Sequence, residues 1–408
     1  MYLSCNCPIP KLGKFFIIFF FSLQSYTFFG NSCKKILINI VFIVFSWIIH
    51  AFFIVFSYFC IVIMKKKKEI SFIINPISGT HSKEDLPKII ESVLDPEQFN
   101  YELRFTEFAG HASEIAQECA QKGQDIVVAV GGDGTVNEVA RSLTHTQTAL
   151  GIIPCGSGNG LARHLCLPLD TKKAIETINA CKIEDFDYGV INDQPFFCTC
   201  GMGFDAFISL KFAEAGKRGP ITYVENVLKE GLKYQPETYE VSDETGARKY
   251  KAFLIACANA SQYGNNAYIA PGATMKDGEM DVVIMEPFDV LDAPQIAADL
   301  FMKTFGNNSK IKTFRAKQIH IHRKEPGAIH YDGDPIMTDA DIDVHIEPGG
   351  IKIVTNPEAI EDDSQPNFLL NAFSDFFNNI NNVREDIEKR GKRIQRVNKV
   401  MLRKLTKL

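Results

Sequence analysis

The spacing of hydrophobic and polar positions divides the chain into regions of different character. Between residues 69 and 184, short apolar runs alternate with segments of helical spacing. This spacing predicts strands at residues 70–74, 101–105, 126–130 and 149–154, and helices at residues 83–93, 111–121, 135–143, 159–165 and 171–180. Apolar strands that alternate with helices indicate a parallel sheet covered on both faces.

The pattern changes after residue 184, where strand-like segments of mixed polarity are separated by turns. The predicted strands are residues 186–190, 195–199, 238–242, 250–258, 280–285, 318–322 and 342–346, and the predicted helices are residues 223–232 and 293–305. This pattern predicts a second, mostly antiparallel β domain.

The last part of the chain is a polar linker at residues 358–365, followed by a long segment with helical spacing that runs to residue 408. Its apolar residues form one stripe opposite a basic face. Two interpretations stay open: the stripe docks on the first domain, which we favour slightly, or it enters a membrane interface while the basic face meets anionic lipid. Both hold if residues 373–377 dock and the residues from 384 onward stay free.

The first 63 residues contain no Asp or Glu and four Lys, and residues 36–63 carry no formal charge. About 20 apolar residues span a bilayer, so this run predicts a transmembrane helix. The lysines at 65–68 would then hold the rest of the chain in the cytosol. Alternatively, translation starts at Met64 and the leader is unused. We therefore divide the chain into residues 1–63, 64–186, 187–356 and 357–408, with a cytoplasmic catalytic part that is either peripheral to the membrane or anchored by the leader.

Charge and cysteine content exclude some classes of function. The net charge is −5, of which residues 1–63 contribute +4 and residues 384–408 contribute +7, so the body between them carries −16. An acidic body is a poor nucleic-acid binder, because that affinity depends on neutralising phosphates with Lys and Arg. The 11 cysteines include no CxxC pair, which favours reduced cytosolic thiols over a zinc site.

The strongest chemical signal is the sequence GGDGT at residues 131–135, between an apolar strand and a helix. Gly131, Gly132 and Gly134 allow a tight turn and close approach of a ligand. The N–H groups at the following helix start favour an anion. Asp133 would repel a phosphate there, so it needs a cation or a substrate proton, and both belong to phosphoryl transfer.

Two further loops of small residues follow strands of the same predicted sheet, at residues 75–79 and 154–159. Open α/β sheets bind ligands at this edge. The loops match neither the dinucleotide-binding GxGxxG pattern nor the P-loop, and the protein-kinase motifs are absent from the sequence.

Taken in order, the motifs identify a resemblance to a known family. They are NPISG at 75–79, Thr106 with GHA at 110–112, GGDGTVNE at 131–138, PCGSGN at 154–159, DYG at 187–189, MKDG at 275–278 and DGD at 332–334. From residue 68 to residue 355 the chain resembles the diacylglycerol kinase catalytic-domain family, which includes bacterial lipid kinases and sphingoid-base kinases. The resemblance implies an α/β domain similar to NAD kinase and phosphofructokinase, a β-sandwich second domain, and a C-terminal helix.

The resemblance also implies cofactors and site residues. ATP would lie in the cleft between the domains, lined by Asn75, Pro76, Ser78, Gly79, Thr106, Gly131, Gly132, Gly134, Thr135, Asn137, Glu138, Ser157 and Asn159. Thr106 has a structural alternative, a strand-end hydroxyl bonded to nearby backbone. Asp277, with backbone carbonyls near Thr274 and Glu279, would hold a structural Mg²⁺. The alternative for Asp277 is a turn at the entry to a strand.

Asp332 and Asp334 stand where the family carries Asp-Gly-Glu, whose acidic residues are implicated as the base that takes the lipid hydroxyl's proton. Together with Asp133 they are the implied catalytic residues. At position 334 this chain has Asp in place of Glu, one methylene shorter, so the substrate sits closer or a water intervenes. The alternative is that residues 331–335 are a hairpin turn without a chemical role.

The implied activity is ATP- and Mg²⁺-dependent phosphorylation of a lipid hydroxyl, with diacylglycerol as the first expectation for the acceptor. Many bacterial diacylglycerol kinases carry Asn-Asp where this chain has Asn159 and Gly160, and the GSGN sequence here looks more like that of sphingoid-base kinases. A sphingoid-base kinase, a kinase of a soluble substrate and a non-catalytic nucleotide sensor are the alternatives. The expected partner is a lipid at a membrane surface rather than a nucleic acid, and a homodimer is left open.

Overall fold

The computed structural model describes residues 43–44, 46–55, 67–78, 85–215, 234–289 and 292–357. The chain divides into two compact units, residues 1–66 and residues 67–408. In the first unit, residues 43–44 and 46–55 are helical. Of the helices that the structure describes, none is both long and apolar enough to cross a bilayer. Most of the predicted transmembrane run lies outside the described residues, as do Gly79, the predicted helix at 223–232 and the whole segment from 358 to 408.

The α/β part of the second unit follows the predicted alternation of strands and helices. Its elements are β1 (Lys68–Ile74), α1 (Leu86–Val93), β2 (Phe99–Phe105), α2 (His111–Gln121), β3 (Ile126–Gly131), α3 (Asp133–Leu143), β4 (Ala149–Pro154), α4 (Gly160–His164) and α5 (Thr171–Ala180). The four strands pair in parallel in the order β2-β1-β3-β4. The prediction of a parallel sheet is confirmed.

Helices cover both faces of this sheet, and strand β3 shows why. All six of its residues are buried. Val127 and Ala129 belong to the core cluster shared with α2 and α3. Val128 and Val130 belong to the cluster on the opposite face, shared with α1 and α5. Successive strand residues point to opposite faces, so a strand buried on both sides is apolar at every position.

The remaining elements build a β sandwich. They are β5 (Lys182–Ile191), β6 (Gln194–Phe196), β7 (Thr199–Gly203), α6 (Phe204–Ala215), β8 (Glu237–Asp243), β9 (Gly246–Ala252), β10 (Leu254–Ala258), β11 (Met280–Met285), α7 (Ala293–Phe301), a 3-10 helix (Phe305–Asn307), β12 (Ile311–Ala316), β13 (Gln318–Arg323), β14 (Gly327–Tyr331), β15 (Asp334–Thr338) and β16 (Asp341–Thr355). One sheet has the order β12-β11-β10-β7-β14-β15. It packs against β8, β13 and β16 through a core that includes Met202, Ile255, Ile321 and Val344.

The long strand β16 joins the two halves of the fold. It pairs antiparallel with β13 and β5, and near its end Ile353 pairs in parallel with Leu150 of β4. The parallel sheet therefore continues into the antiparallel half as one ten-stranded sheet. The domain boundary predicted at residues 186 and 187 falls inside β5, because β5 pairs with β16 from residue 182 to residue 191.

Two predicted strands are wrong in extent. The segment 195–199 is divided between β6 and β7, and the segment 250–258 is divided at Phe253 between β9 and β10. These halves belong to different sheets. A strand-like pattern indicates an extended segment but does not show where the chain crosses from one sheet to the other. Helix α6 and strands β12, β14 and β15 have no predicted counterpart, and α7 ends at Phe301 rather than at residue 305.

Candidate active site

The loop after β1 and the loop after β3 meet at the carboxyl edge of the parallel sheet. The Asn75 side-chain N–H donates to the Thr135 hydroxyl at 3.1 Å. The Asn75 backbone N–H donates to the Val130 carbonyl at 3.1 Å. The Ser78 hydroxyl donates back to the Asn75 carbonyl at 3.1 Å. These bonds bring the NPIS and GGDGT motifs together, as expected for strands that end at one edge.

Asp133, the first residue of α3, joins the GGDGT loop to the loop after β4. Its Oδ1 accepts the Gly160 N–H at 2.7 Å, and its Oδ2 accepts the Asn159 N–H at 2.9 Å. Hydrogen bonds to an ionised carboxylate are roughly twice as strong as neutral ones. The sequence suggests that Asp133 needs a cation or a substrate proton, but these backbone N–H groups already compensate its charge.

Glycines allow the two loops to touch. A Cβ at Gly156 would lie 2.7 Å from the Gly132 Cα, and a Cβ at Gly158 would lie 2.7 Å from the Asp133 Oδ2. Asn159 has a positive φ of 50°. Its side chain accepts the Gly156 N–H at 2.9 Å and donates to the Gly156 carbonyl at 2.8 Å. The GSGN sequence is therefore explained by close packing of backbone on backbone.

The remaining candidate ATP residues surround this junction. Thr106 is buried at the end of β2, with its N–H bonded to the Ile74 carbonyl at 2.9 Å. Glu138 accepts the Gly110 N–H at 3.1 Å and so fixes the loop before α2. Asn137 is buried, whereas Ser157 is exposed. The predicted set thus lies around one edge, apart from Gly79, which is outside the described residues.

Asp332 and Asp334 lie at the β14–β15 hairpin turn, in different surroundings. The Asp332 carboxylate accepts the N–H groups of Phe197 at 2.8 Å, Cys198 at 2.8 Å and Thr199 at 3.1 Å. Removal from water raises the pKa of Asp332, and these N–H groups, together with Arg141, oppose that rise. Asp332 therefore fixes the segment between β6 and β7.

Asp334 is half-exposed, and its Oδ2 accepts a hydrogen bond from Arg141 Nη1 at 3.0 Å. Arg141 belongs to α3, eight residues after Asp133, whereas Asp334 begins β15. Arg141 is not among the residues predicted from the sequence. No local pattern connects it to Asp334, because the two residues are 193 positions apart.

A second missed group lies beneath the same hairpin. His330 is buried, and its Nε2 lies 3.0 Å from the Asp205 Oδ2. The Gly333 N–H donates to His330 Nδ1 at 3.4 Å. With Nδ1 accepting, Nε2 carries the proton and donates to Asp205. This pair supports the turn that carries both acidic residues.

The DYG and MKDG motifs have a shared structural role. Asp187 Oδ2 accepts the Gly278 N–H at 2.7 Å, and its Oδ1 accepts the Gly349 N–H at 2.7 Å. Asp187 therefore ties the turn before β11 to the turn within β16.

The proposed Mg²⁺ ligands lie next to an arginine. Asp277 Oδ2 is paired with Arg315, whose Nη1 also lies 3.3 Å from Glu279 Oε2. Asp277 Oδ1 accepts the Glu279 N–H at 3.1 Å. Arg315 therefore already balances the charge of Asp277, and a divalent cation at Asp277 would have to displace this guanidinium. Within the described residues, no group of three or more His, Cys, Asp or Glu is arranged to hold a metal. The ligand set stays a prediction from the resemblance.

Comparisons with known proteins agree with this architecture. Residues 69–191 match the model of the diacylglycerol kinase catalytic domain. Residues 199–355 match the model of the YegS C-terminal NAD kinase beta sandwich-like domain. Both predictions, the family and the two-part fold, are confirmed.

The chain is also similar to two bacterial relatives in sequence and to a solved structure in fold. A probable lipid kinase YegS-like protein of Chromohalobacter salexigens is 28% identical, over 61% of this chain and 83% of its own length. A diacylglycerol kinase of Bacillus subtilis is 26% identical, over 65% of this chain and 90% of its own. The crystal structure of a diacylglycerol kinase from Bacillus anthracis superposes with a TM-score of 0.58 at 21% identity, covering 72% of this chain and 99% of that one.

Proposed function

Because the chain belongs to the family in which a diacylglycerol kinase catalytic domain is followed by a YegS-type sandwich domain, we propose that it transfers the γ-phosphoryl group of ATP to the hydroxyl of a membrane lipid. The favoured acceptor is diacylglycerol, which would give phosphatidic acid. The name of the Bacillus subtilis relative supports this choice.

The observation that carries the proposal is the junction of the loops at the start of α3. Asp133 holds the loops after β3 and β4 together, and Asn75 adds the loop after β1 through Thr135. The first N–H groups of an α-helix have no partner within the helix and carry partial positive charge. The phosphates of ATP would lie against residues 131–135, where these groups favour an anion.

Asp334 is the group best suited to accept the proton of the lipid hydroxyl. It is half-exposed, whereas the Asp332 carboxylate already binds three backbone N–H groups. As the hydroxyl proton moves to Asp334, the lipid oxygen bonds to the γ-phosphorus and the bond to the bridging oxygen breaks, releasing ADP. Positioned groups in such reactions act mainly by orientation and electrostatics.

Mg²⁺ carried in with ATP would neutralise phosphate charge. The chain's own residues hold the loops, orient the base and remove the proton. The proposed place of action is a membrane surface, because the acceptor is a lipid.

The test is an acceptor screen with the full-length chain, ATP labelled on the γ-phosphate, and Mg²⁺. Diacylglycerol and a sphingoid base are presented in mixed micelles, and NAD and fructose 6-phosphate serve as soluble acceptors. Labelled phosphatidic acid is the expected product. A labelled sphingoid base would change the acceptor but keep the class. Label only on a soluble compound, or ATP binding without any transfer, would contradict the proposal.

A further inference from the structure

Arg141 connects the helix of the nucleotide loop to three strands of the second domain. Its Nη1 donates to Asp334 of β15 at 3.0 Å, and its Nε donates to the Pro195 carbonyl of β6 at 3.3 Å. Its guanidinium carbon lies 4.5 Å from the centre of the Tyr331 ring at the end of β14. The guanidinium is therefore held by hydrogen bonds along its edge and by an aromatic ring against its face.

The arginine is a fixed donor rather than a mobile surface charge. Its side chain is 20% exposed, against 51% for Asp334. Arginine can place its planar guanidinium on an aromatic ring and donate from its edge at the same time, whereas lysine offers a single point charge. Because Arg141 is the more buried partner and has two other contacts, it fixes the position of Asp334 rather than the reverse.

Arg141 and Asp334 each keep one side-chain atom that forms no hydrogen bond within the described residues. Among the described residues, Arg141 binds Oδ2 of Asp334 and no donor is found for Oδ1. Arg141 Nη2 is buried and, within the described part of the chain, has no hydrogen-bond partner. A buried donor without a partner is destabilising, and this offsets the modest stabilisation from a partly exposed ion pair. The arrangement is therefore poorly explained by stability alone.

We propose that Arg141 is the positioning residue for Asp334, holding one carboxylate oxygen so that the other accepts the proton of the substrate hydroxyl. The inference rests on the proposed function of Asp334 as the base. Arg141 lies in the last turn of α3, about two turns from Asp133, and helix side chains tilt toward the helix N-terminus. Arg141 thus ties the base to the same helix that begins at the nucleotide loop.

The test compares Arg141→Gln, Arg141→Lys, Asp334→Asn and the double variant Arg141→Gln/Asp334→Asn. Arg141→Gln lowers kcat by roughly 10- to 100-fold, since a displacement of about 1 Å can cost about 100-fold. The KM for ATP changes little, because Arg141 does not touch the nucleotide loop. Arg141→Lys is intermediate, as it keeps a charged donor but loses the planar array. The double variant is no slower than Asp334→Asn alone.

The matched control is Arg104→Gln. Arg104 forms a comparable ion pair with Glu118 at 2.8 Å, with side chains 30% and 44% exposed, between β2 and α2. This variant leaves kcat unchanged. If Arg141 merely braced the two domains, its effect would multiply with that of Asp334→Asn and the KM for ATP would rise, which would overturn the proposal.

Hydrogen exchange separates this inference from the proposed function. Peptides covering residues 327–338 exchange faster in Arg141→Gln than in the wild type or in Arg104→Gln. Unchanged exchange in this hairpin would overturn the positioning role, whatever the activity. If the wild type phosphorylates no lipid but the hairpin still loosens, the lipid-kinase proposal fails while the anchoring of Asp334 by Arg141 is supported.

Discussion

Asp133→Asn is the substitution that tests the architecture of the loop junction. The carboxylate accepts two backbone N–H groups, from Asn159 at 2.9 Å and from Gly160 at 2.7 Å. An amide of the same shape has one oxygen. Its NH₂ group would face the second backbone N–H, donor against donor. The variant thus leaves one N–H without an acceptor, and the hydrogen bond that remains is to a neutral oxygen rather than to a charged one.

The expected cost follows from these two losses. A hydrogen bond to a charged group contributes about 1.5–3 kcal/mol, and an unsatisfied buried donor costs about 1–3 kcal/mol. Some relaxation of the loop reduces the sum, so we expect roughly 2–5 kcal/mol. The loop can move while the sheet stays intact, so the substitution destabilises the junction of the loops after β3 and β4 while the protein remains folded. A cost of 2 kcal/mol alone would weaken ATP binding about 30-fold, at about 1.4 kcal/mol per factor of ten.

The assay combines ATP titration calorimetry, transfer of labelled phosphate and thermal unfolding. Asp125→Asn is the matched control, because Asp125 accepts the Glu69 N–H at 2.8 Å at the opposite edge of the same sheet. We expect Asp133→Asn to lose turnover and most of its ATP affinity, and Asp125→Asn to keep both. Turnover and affinity close to the wild type in Asp133→Asn would refute the role of the junction.

Three further predictions concern other parts of the second unit, residues 67–408. Burial lowers the pKa of His164 from 6.5 to about 4, so as the pH falls the unfolded chain binds the proton first and the free energy of unfolding decreases between pH 6.5 and about pH 4. In urea unfolding, His164→Gln should lose less stability over this pH range, and an identical pH dependence in the variant and the wild type would contradict this. Arg315→Ala removes the guanidinium that pairs with Asp277, so Mg²⁺ should raise the unfolding temperature of the variant but not of the wild type. Equal shifts in both would show that Arg315 does not take the place of a metal ion at Asp277. Gly158→Ala places a Cβ 2.7 Å from Asp133 Oδ2, so ATP affinity should fall, and calorimetry that gives unchanged affinity would show that the loops do not need this contact.

Local patterns were sufficient for the α/β part of the fold. Helix α2 and strand β4 have the predicted bounds, His111–Gln121 and Ala149–Pro154. Their periodicity is set by one buried helix face or by burial on both sides of a strand, and both appear in neighbouring residues. The same local pattern fails at Phe253, where one apolar run passes between two sheets.

The sequence motifs name candidate site residues, among them Asp133 and Asp334, but they do not give the contacts of these residues. The N–H partners of Asp133 and the pairing of Asp334 with Arg141 are set by tertiary folding. A sequence shows which side chains carry charge, but the neighbours that compensate that charge come from elements far apart in the chain.

The proposed lipid-kinase activity can be measured directly as the transfer of labelled γ-phosphate to diacylglycerol by the wild type and by Asp334→Asn, with ATP affinity determined for both. We expect labelled phosphatidic acid from the wild type, equal ATP affinity, and a transfer rate about 10²- to 10⁴-fold lower in the variant, the usual contribution of a positioned general base. The proposal fails if the wild type labels no lipid, or if the variant transfers phosphate as fast as the wild type.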